Sequence, residues 1–348
     1  MNPITVAKLP GHKDPAAVMK YANNSSASSH DLIPFIPVMT PRQVDKKFSG
    51  FRGKLPIIGE MKCLDKPIRV EERWWKAGEA QKAWPAEFLR AHEATCVSAC
   101  DRFLNANYQN DCIWMLSRGG RAAQAVLMYS KRTLFPVLDG LTVIPVPVFL
   151  RQFLLSSPVH AIHGLREDVS LMEAALYPLQ YEPISRVDYY LMAYEAALRE
   201  RFVCTPGLTL RAARESDYKA LVEMQASYEV EEVAINLKRY RPELARFSLA
   251  HILEREDMLV AEYEGQLVGK INTNARSFTR RQLGGVYVKP SFRRMGVASS
   301  MIGAMVEMLA GNQTAISLYV RKSNIAAQFV YKYAGFRTVA DYRISYIK

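Results

Sequence analysis

The stretch Gly285-Val286-Tyr287-Val288-Lys289-Pro290-Ser291-Phe292-Arg293-Arg294-Met295-Gly296-Val297-Ala298 reads as an apolar strand, a turn and the opening of a helix. Small residues at Gly296 and Ala298 leave the backbone approachable, and the first turn of a helix offers N–H groups with no intrahelical partner. Those amides lie at the positive end of the helix dipole, so the turn is a seat for an anion such as a pyrophosphate. Arg293 and Arg294 add positive charge beside it, and Lys289 reads as a turn residue.

A second pattern follows after the next strand: Asn324, Ala327 and Tyr331 on a helix, then Gly335-Phe336. The two motifs, in this order and at this distance, resemble those of the GNAT superfamily of acyl-CoA-dependent N-acyltransferases. There an Arg or Gln is followed three and five residues later by Gly and then Gly or Ala, after an apolar strand. Arg293, Gly296 and Ala298 occupy those places.

The resemblance covers about residues 207–348. It implies a GNAT domain that moves an acetyl group from acetyl-CoA onto an amine by direct attack in a ternary complex. It also implies coenzyme A contacts at Val286, Val288, Arg293, Arg294, Met295, Gly296, Val297, Ala298, Asn324 and Ala327, with the Val288 main chain holding the pantetheine arm and acyl carbonyl. Tyr331 then faces the cofactor sulfur. A thiolate whose thiol has a pKa near 8.5 leaves more readily when a phenol donates to it.

An alkyl amine is protonated near neutral pH and attacks only when neutral, so a base is needed. Glu231 and Glu232, in the helix-rich segment that borders the acceptor site in the family, and Glu262 on a strand are the candidates. Glu232 is preferred. The acceptor is a small amine or a protein amine. Two other classes stay open: a non-catalytic acyl-CoA-binding or scaffold module, and an acyltransferase acting on a nucleic-acid-associated substrate.

The elements that must position these groups repeat. From Pro85 a single helix is predicted to Leu104, then strands at Ile113–Arg118 and Ala123–Ser130 joined through Gly119-Gly120, and further strands at Leu134–Leu138 and Thr142–Val148. A helix at Phe149–Leu155, a strand at Val159–Leu165, a helix at Asp168–Tyr177 and a strand at Arg186–Tyr194 close that region. Beyond Pro206 the same order recurs. Strand Leu208–Arg214, a helix from Glu215 and a second over about Leu237–Glu256 precede strands Met258–Tyr263, Gln266–Asn274 and Gln282–Val288. Helix Arg294–Leu309, strand Ala315–Val320, helix Asn324–Tyr333 and strand Thr338–Ile347 follow. Asp188-Tyr189 and Tyr194 in the first half match Asp341-Tyr342 and Tyr346 in the second.

The expected fold is thus α/β (α+β): two GNAT-like mixed β-sheet domains flanked by helices, after a largely irregular N-terminal extension. The divisions are 1–85, a degenerate GNAT-like domain at 86–205 and the catalytic domain at 206–348. Laid without gaps on the motif strand, Ile144–Ser156 sets Val146 opposite Val288, Arg151 opposite Arg293, Leu154 opposite Gly296 and Ser156 opposite Ala298. A large side chain then blocks the anion seat, and one acetyl-CoA per chain is expected.

Composition sets the outer bounds. The 348 residues are 49% apolar and 23% charged, an ordinary globular balance. Net charge is +12, and residues 1–90 hold 15 basic and 9 acidic side chains, a surface for polyanions or simply a solvated face. Nucleic acid is disfavoured as a partner. Asn23–Ser29 is a polar tract that reads as loose, while Trp74, Trp75 and Trp84 call for a docking surface.

The five cysteines form no CxxC pair, so reduced thiols in a cytoplasmic protein are expected. His160 and His163 are ill-spaced for a metal on a strand, and no metal is expected. The most apolar run, Leu141–Val159, carries three prolines and Arg151 and falls short of a membrane span.

Overall fold

The computed structural model describes residues 72–118, 123–198, 205–234 and 240–348. The Asn23–Ser29 tract, most of the basic N-terminal region, the Gly119-Gly120 turn, Cys63 and Cys204 lie outside them.

The strands alternate apolar side chains to both faces, which demands cover on both. In β2 (Cys112–Arg118), Trp114 and Leu116 enter one core while Ile113 and Met115 enter another. β3 (Ala123–Ser130) does the same with Leu127 and Tyr129 against Val126 and Met128. Helices supply the cover. α1 (Ala83–Ala91) and α2 (Val97–Leu104) lie on one face, α3 (Val148–Ser156) and α4 (Arg166–Leu176) on the other. In the second half α5 (Tyr218–Tyr228) and α6 (Ala245–Arg255) pack on Met258 and Val260 of β8 (Met258–Tyr263). α7 (Val297–Ala310) packs on Leu259 and Ala261 of the same strand. Deleting a fully buried side chain such as Met301 of α7 costs about 2–5 kcal/mol in such a core.

The remaining strands are β1 (Glu72–Ala77), β4 (Thr133–Val137), β5 (Ala161–Leu165), β6 (Pro183–Tyr194), β7 (Leu208–Ala212), β9 (Gln266–Arg276), β10 (Arg280–Val288), β11 (Ala315–Arg321) and β12 (Phe336–Ile347), with α8 (Ile325–Tyr333) before the last. All twelve join one sheet in the order β1-β2-β3-β4-β5-β12-β6-β11-β10-β9-β8-β7. The order is unchanged when the halves are exchanged and the sheet is read from the other end. Pairing types follow the same symmetry: β4–β5 and β10–β11 are parallel and the other pairs are antiparallel. Each half gives its last strand to the other, since β12 lies between β5 and β6 and β6 lies between β12 and β11. At the centre Tyr189 pairs with Tyr342, so the repeated Asp-Tyr sequences meet across the local two-fold axis.

The turn between β9 and β10 locks the halves together. Glu93, after α1, accepts hydrogen bonds from Ser277 Oγ (2.5 Å), the Thr279 N–H (2.5 Å) and Thr279 Oγ1 (2.9 Å), and Phe278 lies under the Arg90 guanidinium at 4.2 Å. Burial raises the Glu93 carboxyl, but these donors outweigh it and hold it below its ordinary value.

Several sequence expectations change. Residues 72–77, expected in the irregular extension, belong to the sheet: β1 pairs with β2 along its length, Trp74 is buried, and Trp75 meets Trp84 edge-on at 5.3 Å. The helix expected from Pro85 to Leu104 is two, broken by a turn at His92–Thr95. Thr142–Val148 is not a strand, because Pro145 and Pro147 remove the N–H groups a ladder needs. The second helix of the later half begins at Ala245, after Pro242. The gapless alignment of Ile144–Ser156 also fails. Pro147, not Leu154, caps α3 as Gly296 caps α7, and Leu154 is a buried core residue two turns in.

Candidate active site

β10 and β11 pair only from Arg280↔Ala315 to Leu283↔Leu318 and then splay apart. On the other side β10 bulges: Gly284 pairs with Asn272 and Tyr287 with Lys270, leaving Gly285 and Val286 opposite one residue of β9. Gly285 has φ +58°, and a Cβ there would stand 1.9 Å from Asn272 Oδ1, so only glycine fits. Val286 therefore has no strand partner on either side, at the root of a wedge. Beneath the bulge, fully buried Lys270 donates to the Gly285 carbonyl (2.9 Å) and Asn272 Oδ1 (3.1 Å).

Beyond Val288 the chain turns into α7. Arg294 (φ +65°) and Gly296 (φ +77°) are both left-handed, and no side chain caps the helix, so its first-turn amides are left for an anion. A Cβ at Gly296 would lie 2.8 Å from Thr205 Oγ1, which donates to the Met295 carbonyl at 2.8 Å. Arg293 is tied back rather than free: it donates to Val288 O (3.0 Å) and pairs with Glu231 (2.8 Å). Arg294 is exposed. The loop fits a pyrophosphate, and the wedge beside Val286 fits an extended arm.

A cavity of about 400 Å³ opens at the wedge, lined by Val286, Asn324, Ala327, Tyr331 and Glu232 among others. Val288 and Arg293 to Ala298 do not line it; they run from the end of β10 to the start of α7. Asn324 joins two of its walls. Its Oδ1 accepts from the Ala327 N–H (3.0 Å), capping α8, and its Nδ2 donates to Glu232 Oε1 (2.9 Å). Glu232 stands in a π-helical turn, Glu229–Val233, that extends α5. Burial raises its carboxyl, against the opposing pull of Arg321 and the Asn324 amide. Tyr331 is 8% exposed, and burial holds its phenol well above the usual range, so it stays protonated at neutral pH.

The first half supplies the opposite wall with Ser98, Asp101, Arg102, Phe135, His163 and Tyr189. Burial pushes His163 down to about 3, so this wall is neutral at that point. Of the other base candidates, Glu231 is engaged by Arg293, and Glu262 by Arg211 (2.9 Å), which also holds Asp217 (2.7 Å). Glu262 does not reach the cavity. Sequence reasoning missed Lys270 and Tyr228 beneath the bulge; the Gly284-Gly285 pair inside a strand was the available signal. Among the described residues no cluster of His, Cys, Asp or Glu is set to hold a metal.

Residues 219–336 match the acetyltransferase (GNAT) family. This chain carries a GNAT-family domain. The match covers the bulged strand, the α7 loop and α8 together. No curated protein matches the sequence. Among solved structures, a GCN5-related N-acetyltransferase from Sphaerobacter thermophilus is 16% identical with TM-score 0.51, over 81% of this chain and 96% of that one. A tandem GNAT protein from the clavulanic acid biosynthesis pathway is 11% identical with TM-score 0.49, over 80% and 98%. A GNAT-family protein from Novosphingobium aromaticivorans is 17% identical with TM-score 0.37; the match spans 48% of this chain and 66% of that one. At these identities the likeness concerns the fold. The family match supports acyl transfer as the chemistry of this domain. No described helix is long and apolar enough to cross a membrane.

Proposed function

We propose that the chain is an N-acetyltransferase that carries the acetyl group of acetyl-CoA to an amine held between its two halves. The observation that supports it most is that Glu232, Tyr331 and the unpaired Val286 share one cavity at the root of the splayed strands. Acetyl-CoA brings the thioester that is attacked. The amides of Gly296, Val297 and Ala298 and the charge of Arg294 hold its phosphates, and the Val286 and Val288 main chain orients its arm. Glu232, whose carboxyl is raised above its ordinary value by burial, removes the amine proton. The amine lone pair forms the new C–N bond, the C–S bond breaks, and the Tyr331 hydroxyl donates to the departing sulfur. None of the described cysteines, Cys96, Cys100 and Cys112, lines the cavity, which fits direct attack without an acyl-enzyme. These thiols are unpaired, in keeping with a cytoplasmic protein.

The first half reads as a copy of the same fold that has lost its cofactor seat. The sheet order favours this. At the matching wedge between β4 and β5 a cavity of only about 10 Å³ remains, where a Cβ at Gly164 would meet Pro136 O at 3.1 Å. The copy contributes the cavity wall instead.

CoA release by purified protein with acetyl-CoA and a panel of amines tests the function. Tyr331→Phe should lower kcat about a hundredfold while leaving acetyl-CoA affinity within a fewfold, because the hydroxyl acts on the developing thiolate. Unaltered turnover would remove Tyr331 from the mechanism. CoA release that no acceptor accelerates would argue for a binding module.

A further inference from the structure

Lys270 is a buried ionisable group that the steps above do not use. A lysine is almost never fully buried unless paired, and a methionine of similar length would fill the same space without desolvating an amine. Around its Nζ stand Gly285 O at 2.9 Å, Asn272 Oδ1 at 3.1 Å and the face of the Tyr228 ring at 4.9 Å. All three are acceptors, one for each N–H of an ammonium group.

The amine is held by its neighbours in turn. Asn272 is anchored by its Nδ2, which donates to Thr273 O at 2.8 Å. The Gly285 backbone also hydrogen-bonds Tyr228, whose phenol burial pushes up to about 12. Glu229, the one carboxylate that acts on Lys270, is itself engaged by Gln225 Nε2 (2.9 Å) and the Tyr240 hydroxyl (2.9 Å).

The Gly285 carbonyl and the Val286 N–H belong to the same peptide group. We propose that Lys270 is a positioning residue for acyl transfer: its ammonium group polarises the Gly285–Val286 peptide and fixes the bulge, so that the Val286 N–H becomes a stronger donor to the thioester carbonyl oxygen. This rests on the acetyl-CoA reading above. A hydrogen bond accepted at a peptide oxygen strengthens the donor at its nitrogen, more so when the first donor is charged and buried. Negative charge gathers on the thioester oxygen as the amine attacks, so a stronger donor there favours the transition state over the bound substrate. Burial lowers the Lys270 amine to about 7, so part of the population stays charged near neutral pH.

The test uses the full chain, with Lys270→Met to remove donor and charge and Lys270→Gln to keep a donor without charge. Acetyl-CoA labelled at the carbonyl is bound without acceptor, and its isotope-edited infrared stretch is compared with that of free acetyl-CoA. Wild type should lower the stretch, Lys270→Met should return it toward the free value, and Lys270→Gln should lie between. In turnover, Lys270→Met should lose about tenfold to a hundredfold in kcat with the acetyl-CoA KM within about threefold.

Should Lys270→Met fail to fold, the Gln variant and the wild-type spectrum carry the test. A wild-type protein that binds and turns over acetyl-CoA with an unshifted carbonyl would overturn the role of Lys270 alone. So would either variant with wild-type kcat. A wild-type protein that does not bind acetyl-CoA would overturn the function as well.

Discussion

Asn324 donates from its side-chain amide to Glu232 Oε1 at 2.9 Å while its carbonyl oxygen caps the helix that carries Tyr331. One side chain thereby sets the spacing between the proposed base and the proposed acid. Asn324→Ala should cost about 1 kcal/mol through the lost cap, visible in a denaturant melt, and should lower kcat by more than that loss explains. Asn324→Asp keeps the cap but places a carboxylate against Glu232. It should restore stability without restoring kcat, and full activity in the Asp variant would show that the link to Glu232 is incidental.

The state of Glu232 sets the acid side of the pH profile. A base acts when ionised, so activity should be present above the Glu232 pKa and fall as pH drops through it. Because burial raises that carboxyl above its ordinary value of 4.5, the acid limb of kcat/KM should lie above that value. Glu232→Gln should remove the limb and most of the rate; a limb that survives in this variant would assign it elsewhere.

The turn from β10 into α7 was legible in the sequence because its pattern is local: Arg293, Gly296 and Ala298 stand at fixed spacing after an apolar strand. The strands were legible too, several to the residue, since the apolar run in Ala123–Ser130 or Met258–Tyr263 is a property of the segment itself. What could not be read there is what distant segments do to one another. The repeated Asp-Tyr sequences hinted at duplication, yet nothing local says that Tyr189 pairs with Tyr342 or that β12 crosses into the first half. Glu232 was preferred over Glu231 and Glu262 from the sequence alone; that Arg293 and Arg211 closely engage the other two, while Arg321 stands 4.0 Å from Glu232, needed the fold. The break between α1 and α2 was missed because apolar residues keep helical spacing across the turn.

Calorimetric titration of the intact chain with acetyl-CoA should give a stoichiometry near one. Gly296→Glu should abolish binding by placing bulk and negative charge at the anion seat, on a backbone with φ +77° that an L side chain rarely adopts. A stoichiometry of two would show that the wedge beside Pro136 opens. The first half alone is no test of this point, because β5 and β6 are joined through β12.

Glu93 links the halves through three hydrogen bonds, so Glu93→Ala should destabilise the chain by about 2–3 kcal/mol and leave buried Ser277 without a side-chain acceptor. Its depressed carboxyl contributes stability that is present above its ordinary value of 4.5 and lost as pH falls through the lower folded value. Urea melts across that range should show wild type losing stability on acidification more steeply than the variant, and parallel curves would contradict the assignment.

Initial-rate measurements with acetyl-CoA and a turned-over amine varied together test the central claim most directly, with the acetylated amine identified by mass spectrometry. Direct attack within a ternary complex predicts intersecting double-reciprocal lines, one CoA released per acetylated amine, and no acetylated protein when acceptor is withheld. Parallel lines with an acetyl group trapped on the chain, or CoA release without acetylated amine, would contradict it.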